Sequence, residues 1–244
     1  MRKNKKANKV DSIREERERL LTNHHEFYIT EAYKALRTNV IFSLAGEKSS
    51  HVIMVTSSFP GEGKTTTSSN LALSLAEAGK HTLIVDCDLR KPKLGRLFNV
   101  KSDVGLTSAL MDQDKIMSSI FQMQGSTLYI MPAGHIPPNP SELLSSKNME
   151  NVVKTLRNTF DYVILDTPPV NVVTDAIALS PYTDGTLFVV RFGRSEKNAV
   201  QRALDQLSIS NTKVLGVVMT DVAESAAGYG AYDRKYEYAA NEDL

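Results

Sequence analysis

The sequence is poor in the features that mark exported and membrane-spanning proteins. It has one cysteine, Cys87, and no tryptophan in 244 residues, so an intramolecular disulfide is impossible and a reducing compartment fits. No apolar run approaches the roughly 18 residues that a transmembrane helix needs. Residues 1–9 are basic, but charged residues follow where a signal peptide would carry its apolar segment. We therefore predict a cytoplasmic protein.

The chain also lacks a net charge of either sign. Its 29 basic and 28 acidic residues nearly cancel, so no overall field attracts nucleic acid, and we predict no nucleic-acid partner. The basic residues 1–9 have two interpretations. They form a solvated tail, or they add a weak attraction to an anionic inner leaflet, at about 1 kcal/mol per basic residue near the surface.

Continuous apolar runs, rather than alternating ones, predict the strands. These runs are His51–Thr56, Thr82–Val85, Leu128–Met131, Tyr162–Leu165, Thr186–Val190 and Val214–Met219. Helical patterns cover the first forty-odd residues up to Gly46, and the segments Thr65–Ala78, Asn148–Asn158 and Glu196–Leu207. Strands that are apolar throughout and separated by helices indicate an α/β fold, a mostly parallel β-sheet with helices on both faces.

A glycine-rich turn between the first strand and the next helix carries the strongest motif. Its sequence is Ser57-Ser58-Phe59-Pro60-Gly61-Glu62-Gly63-Lys64-Thr65-Thr66. This is P-loop spacing in the required strand–loop–helix context, which predicts a P-loop NTPase fold. The glycines let backbone N–H groups converge on phosphate oxygens, Lys64 supplies a cation, and the Thr65 hydroxyl suits Mg²⁺. Ser58 stands where the first glycine is usual. We expect the nucleotide to be held by Ser58, Pro60, Gly61, Glu62, Gly63, Lys64, Thr65 and Thr66.

Two other strands end in carboxylates. Asp86 and Asp88 follow one apolar strand and Asp166 follows another, at the sheet edge where ligands bind in open α/β folds. Mg²⁺ needs oxygen ligands beside the phosphates, and a hydroxyl nucleophile needs a base. We expect Thr65 and Asp86 to hold the metal, with Asp88 as a further metal candidate and the likelier partner of the incoming hydroxyl. Asp166 would support the metal from behind. The predicted catalytic set is thus Lys64, Asp86, Asp88 and Asp166.

Taken together, these motifs resemble those of the bacterial tyrosine kinases. The phosphate turn, Val85-Asp86-Cys87-Asp88-Leu89-Arg90-Lys91-Pro92 and Leu165-Asp166-Thr167-Pro168-Pro169 are similar to the Walker A, A′ and B motifs of that family. The segment Pro137-Pro138-Asn139-Pro140-Ser141-Glu142-Leu143-Leu144 also resembles the family, as does a tail containing Tyr229, Tyr232, Tyr236 and Tyr238. The likeness covers nearly the whole chain, from about Glu31 to Tyr238.

The resemblance implies a function that the motifs alone do not. It implies an ATP- and Mg²⁺-dependent autokinase of capsule or exopolysaccharide export, which phosphorylates the four tail tyrosines of a neighbouring subunit in a ring. A transmembrane activator would bring the kinase to the inner face of the plasma membrane, and other proteins are possible tyrosine substrates. The helix Glu31-x-x-Lys34-x-x-Arg37 would support the ring contact. Lysine there lacks the planar fork of the arginine that the family carries.

Two alternatives and one assignment stay open at this stage. A switch ATPase of the partitioning or septum-placement type shares the fold and motifs, but usually has a second lysine where Phe59 stands. A scaffold that binds ATP without catalysis is the other alternative. An arginine that stabilises the transition state is either Arg90 or Arg37 of a neighbour. We expect three segments: a basic, helical head over 1–30, a P-loop kinase domain over 31–223, and a flexible tyrosine-rich tail over 224–244.

Overall fold

The computed structural model describes residues 14–22, 27–46, 48–100 and 102–222. The helices are α1 (14–18), α2 (Phe27–Ser43), α3 (Lys64–Glu77), α4 (Leu94–Leu97), α5 (Leu106–Met111), α6 (Pro140–Leu144), α7 (Lys147–Arg157), α8 (Asp175–Leu179) and α9 (Lys197–Ile209). Short 3₁₀ turns cover Gln113–Lys115, Met117–Ser119 and Ser180–Tyr182. The strands are β1 (His51–Ser57), β2 (Thr82–Asp86), β3 (Phe121–Gln122), β4 (Leu128–Met131), β5 (Tyr162–Asp166), β6 (Gly185–Arg191) and β7 (Val214–Thr220).

The seven strands form one sheet in the order β3-β4-β2-β5-β1-β6-β7. All neighbouring pairs are parallel except β3 and β4. The predicted mostly parallel sheet is therefore confirmed, and each of the six apolar runs forms a strand. Strand β3 could not be predicted, because a strand of two residues carries no hydrophobic period.

Both faces of the sheet are covered, which explains why its central strands are apolar throughout. Successive residues of β1 point to opposite sides, so Val52 and Met54 join one hydrophobic cluster while Ile53 and Val55 join the other. Helices α2 and α3 cover the second cluster, and α5, α7 and α9 contribute to the first. The prediction of helices on both faces of the sheet is therefore confirmed.

The amino-terminal residues that the structure describes pack on this body. Leu20 is 3% exposed and lies in the cluster beneath α3, and the Leu21 N–H donates to Asn70 Oδ1 at 3.0 Å. Helix α2 begins at Phe27 and runs through the expected boundary at 30/31. The expected tail, with its four tyrosines, lies outside the described residues. Among the helices of the described ranges, none has the length and apolar character that a membrane span requires.

Candidate active site

The glycine-rich turn, here called the phosphate loop (residues 57–66), connects β1 to α3 in the geometry that the motif predicts. Gly61 and Gly63 have φ angles of 86° and 95°, a left-handed conformation that strains any other residue. Gly63 is the amino-terminal cap of α3. The loop therefore ends at a helix amino terminus, where unsatisfied N–H groups favour an anion such as phosphate.

Lys64, the first residue of α3, lies buried beside the loop with 9% of its surface exposed. Burial lowers the pKa of its ammonium group from the ordinary value, while the nearby carboxylates of Asp166 and Asp88 act in the opposite direction. A buried cation near two carboxylates is already desolvated before any ligand arrives. Such a cation interacts more strongly with a phosphate than an exposed one would.

The structure explains why serine replaces the first glycine of the motif. Ser58 Oγ donates to both carboxylate oxygens of Glu62, at 2.8 and 3.0 Å, and the Phe59 N–H donates to Glu62 Oε2 at 2.7 Å. Glu62 is only 5% exposed, and Ser195 Oγ also donates to its carboxylate. The side chains of Ser58 and Glu62 thus bind each other across the loop, and the prediction that these two residues contact the nucleotide would be met by their backbone N–H groups.

Asp166 joins the phosphate loop to the neighbouring strand end. It is the last residue of β5, and its Oδ2 accepts a hydrogen bond from Thr65 Oγ1 at 2.8 Å. Ser68 Oγ donates to its Oδ1 at 3.1 Å. Burial raises the pKa of the Asp166 carboxyl to about 6, although Lys64 and the two hydroxyls lower it. Asp166 therefore orients Thr65, the hydroxyl that the sequence assigns to the metal.

Asp86 lies beside Asp166, since these two residues are directly paired in the β2–β5 register. Its Oδ2 accepts the N–H groups of Lys93 and Leu94, both at 2.9 Å, whereas its fully buried Oδ1 has no hydrogen-bond partner. Burial, and then the charge of Asp166, raise the pKa of the Asp86 carboxyl to about 8. An unpaired, buried carboxylate oxygen is costly without a cation or a proton, so this residue fits the predicted Mg²⁺ ligand.

Asp88 and Cys87 separate as their alternation along an extended chain predicts. Asp88 is partly exposed, and its Oδ1 accepts the N–H groups of Arg90 at 3.3 Å and Lys91 at 2.9 Å. Cys87 is fully buried in the hydrophobic cluster that also contains Val52 and Met54, and burial raises the pKa of its thiol well above the ordinary value. The thiol therefore has a packing role.

The protein side chains that the structure describes at the carboxyl end of the sheet do not by themselves form a complete set of metal ligands. In the described part of the chain, no three His, Cys, Asp or Glu side chains are grouped as a metal site. Mg²⁺ is usually held by one or two carboxylates together with phosphate oxygens and water. The grouping of Asp86 with the Thr65 hydroxyl is of that kind.

Three residues that the sequence analysis missed complete the surroundings of the loop. Arg191 Nη1 donates to the Gly61 carbonyl at 3.2 Å, and Thr220 Oγ1 donates to the Glu62 carbonyl at 2.8 Å. Ser195 is the third, through the Glu62 carboxylate. All three lie more than a hundred residues beyond the motif, and nothing in the sequence around them indicates a contact with it.

The two arginines considered for the transition state both have partners within this chain. Arg90 Nε and Nη2 bind the buried carboxylate of Asp175 at 2.9 and 3.0 Å, and Nη2 also donates to Ser141 Oγ at 3.1 Å. Arg90 thereby ties the segment after β2 to the proline-rich segment. Arg37 Nη1 donates to the Ser74 carbonyl of α3 at 2.7 Å.

Glu31 and Lys34, assigned by resemblance to the ring contact, form an ion pair of 2.7 Å on the surface of α2. The pair is about half exposed, so both side chains can be reached from outside. An exposed pair of this kind contributes about 0.3–0.5 kcal/mol to the helix and exchanges partners at little cost.

The Asp86→Asn variant is expected to be more stable than the unaltered protein when no metal is present. Folding raises the Asp86 pKa to about 8 from an ordinary value of 3.8, so the folded state binds a proton that the unfolded state releases. The stability of the folded state therefore falls as the pH rises from about 4 to about 8. Asparagine avoids this loss, and its side-chain oxygen can still accept the N–H groups of Lys93 and Leu94. At pH 8 in EDTA we expect the melting temperature to rise by at least about 2–4 °C, with a smaller gain at pH 5.

The exposed Asp103 provides a matched control for this measurement. Asp103→Asn removes the same formal charge without removing a buried carboxylate, and we expect its melting temperature to stay unchanged at both pH values. Equal shifts in the two variants, or a gain for Asp86→Asn that does not grow with pH, would contradict the role given to burial.

The fold and the site together are those of one structural class of protein domain. A mostly parallel sheet has its phosphate loop after β1, beside the acidic carboxyl ends of β5 and β2, which follow β1 in the sheet order. This is the arrangement of P-loop nucleotide-binding domains. A family model described as an AAA domain matches residues 50–216. The chain therefore contains a P-loop domain of the nucleotide-binding class.

Comparison with curated proteins identifies the family within this class. The chain is 38% identical to the tyrosine-protein kinase CpsD of Streptococcus agalactiae, over 83% of this chain and 87% of that one. It is also 38% identical to the tyrosine-protein kinase YwqD of Bacillus subtilis, over 84% and 87%. These values show that the chain belongs to the bacterial tyrosine-protein kinases, which confirms the resemblance.

The solved structures point the same way and weaken the switch-ATPase alternative. The chimerical protein CapA2B2 superposes with a TM-score of 0.74 at 38% identity, covering 78% of this chain and 84% of that one. The kinase domain of Escherichia coli tyrosine kinase ETK gives 0.76 at 31% identity, covering 80% and 76%. The septum site-determining protein MinD of Pyrococcus horikoshii gives 0.60 at 23% identity over 70% of each chain, which shows the shared fold alone.

Proposed function

We propose that this kinase transfers the γ-phosphoryl group of ATP to Tyr229, Tyr232, Tyr236 and Tyr238 of a neighbouring copy, and thereby regulates the synthesis and export of a capsular polysaccharide or exopolysaccharide. One observation supports the chemistry above all. Lys64, Asp86 and Asp166 are buried side by side at one edge of the sheet, directly against the phosphate loop. Together they supply one cation and two carboxylates where a triphosphate would bind.

Each residue has a physical role in this proposal. The loop amides and Lys64 would bind the phosphates and Thr65 and Asp86 would hold Mg²⁺, while Asp166 orients the Thr65 hydroxyl by its 2.8 Å hydrogen bond. When bound, Mg²⁺ neutralises part of the charge on the phosphate oxygens. A metal ion held by Asp86 would supply the positive charge that the buried Asp86 Oδ1 lacks among protein atoms.

Asp88 acts on the incoming tyrosine. Two backbone N–H groups hold its Oδ1, which fixes the carboxylate at the partly exposed side of the site. It accepts the proton of the tyrosine hydroxyl while the new bond forms between that oxygen and the γ-phosphorus. The bond from the γ-phosphorus to the bridging oxygen breaks, and ADP leaves with that oxygen.

The proposed assembly places this chemistry at the membrane. The chain is cytoplasmic and forms a homo-oligomer, a ring, in which Glu31, Lys34 and Arg37 contribute to the subunit contact. The exposure of the Glu31–Lys34 pair supports that contact. The cytoplasmic segment of a transmembrane partner recruits and activates the kinase, and other proteins serve as further tyrosine substrates. Similarity to the chimerical protein CapA2B2 supports such a partner.

Incubation of the full chain with ATP and Mg²⁺, followed by mass spectrometry of residues 225–244, tests the activity. We expect phosphotyrosine in this segment and none when EDTA replaces Mg²⁺. Release of inorganic phosphate without phosphotyrosine would favour the switch ATPase instead. Metal-dependent ATP binding with neither product would favour the scaffold.

A further inference from the structure

The end of β7 lies against the phosphate loop. Thr220, its last residue, donates from Oγ1 to the Glu62 carbonyl at 2.8 Å. It also packs so closely on Gly63 that a Cβ added there would lie 3.0 Å from Thr220 Cγ2. Thr220 thus meets the loop through both its hydroxyl and its methyl group, on the side away from Asp86 and Asp166.

A second contact comes from Arg191, the last residue of β6. Its Nη1 donates to the Gly61 carbonyl at 3.2 Å, while Nε and Nη2 bind Asp221 Oδ2 at 2.9 and 2.8 Å. Asp221 has a φ of 62°, in the left-handed region that aspartate enters more readily than most non-glycine residues. One guanidinium group therefore connects the loop to the residue that follows β7.

These two contacts have a direct effect on the loop amides. A peptide unit is planar and trans, so its C=O and its N–H point in opposite directions. Fixing the Gly61 carbonyl fixes the N–H of Glu62, and fixing the Glu62 carbonyl fixes the N–H of Gly63. In a P-loop, N–H groups at these positions are the ones that converge on the phosphates.

We propose that Thr220 and Arg191 are positioning residues of the phosphate loop, which aim the Glu62 and Gly63 amides at the nucleotide phosphates by holding the two carbonyls from behind. The inference rests on nucleotide binding at the loop, as in the proposed function, but it does not depend on transfer to tyrosine. It differs from a role in reading the base, since it predicts an effect on any ligand that presents the same phosphates.

The test compares Thr220→Val, which keeps the shape and loses the donor, with Thr220→Ser, which keeps the donor. Calorimetry measures the binding of Mg²⁺-ATP and of Mg²⁺-tripolyphosphate, which has no base. We expect Thr220→Val to weaken both ligands by about tenfold, because the Glu62 carbonyl loses its partner, and Thr220→Ser to recover most of that loss. Thr159→Val is the matched control. Thr159 is exposed just beyond the end of α7, and its hydroxyl donates to the Thr155 carbonyl of that helix.

Two results would overturn the proposal. One is equal binding of both ligands by Thr220→Val and the unaltered chain. The other is a loss confined to ATP, with tripolyphosphate unaffected, which would assign Thr220 to the base. If Thr220→Val does not fold, Arg191→Lys carries the test, because an ammonium group cannot bind Gly61 and Asp221 with a planar fork. Arg191→Lys is expected to weaken both ligands, and unchanged binding of both would again overturn the proposal.

The same measurements separate this inference from the proposed function. If the chain forms no phosphotyrosine, the difference in tripolyphosphate binding between Thr220→Val and Thr220→Ser still tests the positioning role independently of kinase activity. If the chain is an active kinase, the Thr220→Val variant will show a raised KM for ATP with a smaller change in kcat.

Discussion

Self-phosphorylation is expected to fall by about a hundredfold to a thousandfold when Lys64 is replaced by methionine. The ammonium of Lys64 is desolvated beside two carboxylates, so its charge acts on the phosphates with little screening. Removing one such preorganised group costs about 2.7–4 kcal/mol of transition-state stabilisation. Methionine has a similar length and keeps the packing at the start of α3. The initial rate of phosphotyrosine formation, measured with ATP and Mg²⁺, checks this prediction.

Lys80→Met is the matched control for Lys64→Met. Lys80 is exposed just beyond the opposite end of α3, so its replacement removes the same charge far from the loop. The control is expected to retain its rate, and both variants should keep the melting temperature of the unaltered chain within a few degrees. Comparable activity in Lys64→Met and the control would contradict the role given to the buried ammonium.

Replacing Tyr229, Tyr232, Tyr236 and Tyr238 with phenylalanine is expected to reduce incorporation of phosphate to near the background level. Phenylalanine lacks the hydroxyl that receives the phosphoryl group, while Lys64 and the carboxylates remain, so ATP binding should not change. Phosphate incorporation per chain, compared with ATP affinity, provides the measurement. The Tyr182→Phe variant is the control, because Tyr182 lies in the body with its hydroxyl near the Ser146 carbonyl, and it should incorporate as much as the unaltered chain.

The two altered chains also test each other. In a mixture, the four-phenylalanine chain has an intact site and the Lys64→Met chain has intact acceptors. Phosphotyrosine on the Lys64→Met chain demonstrates transfer between subunits. If the mixture stays unlabelled while the unaltered chain labels itself, transfer in trans is wrong.

The phosphate loop and the two buried aspartates can be predicted from the sequence, because the loop is a local motif and the aspartates end parallel strands. The phosphate loop is one continuous motif whose glycines require positive φ angles. Asp86 and Asp166 could be placed together because each ends an apolar strand, and the carboxyl ends of parallel strands share one edge. Their direct pairing in the register then follows from β2 and β5 being neighbours.

The contacts that the sequence does not reveal join residues far apart in the chain. Glu62 looks like one more motif residue, yet its carboxylate turns inward because Ser58 and Ser195 offer donors. Arg90 was one of two candidates for the transition state, and its buried partner Asp175 lies 85 residues away. Such pairs depend on how β6, β7 and the segments between strands and helices pack in the folded protein. The hydrophobic periodicity of the sequence does not indicate which side chain will be the partner of another.

The end of β7 has a consequence for the kinetics of labelling. β7 is separated from β5 by β1 and β6, so its end lies about 14 Å from the strand of Asp166 along the sheet. Tyr229 is eight residues beyond Asp221, an extended reach of about 26–29 Å. An extended segment of that length exceeds the distance across the sheet, so chain length alone does not enforce exchange between copies. Labelling between copies will therefore slow in proportion as the kinase is diluted below the concentration at which copies associate, whereas labelling within one copy would keep a constant half-time.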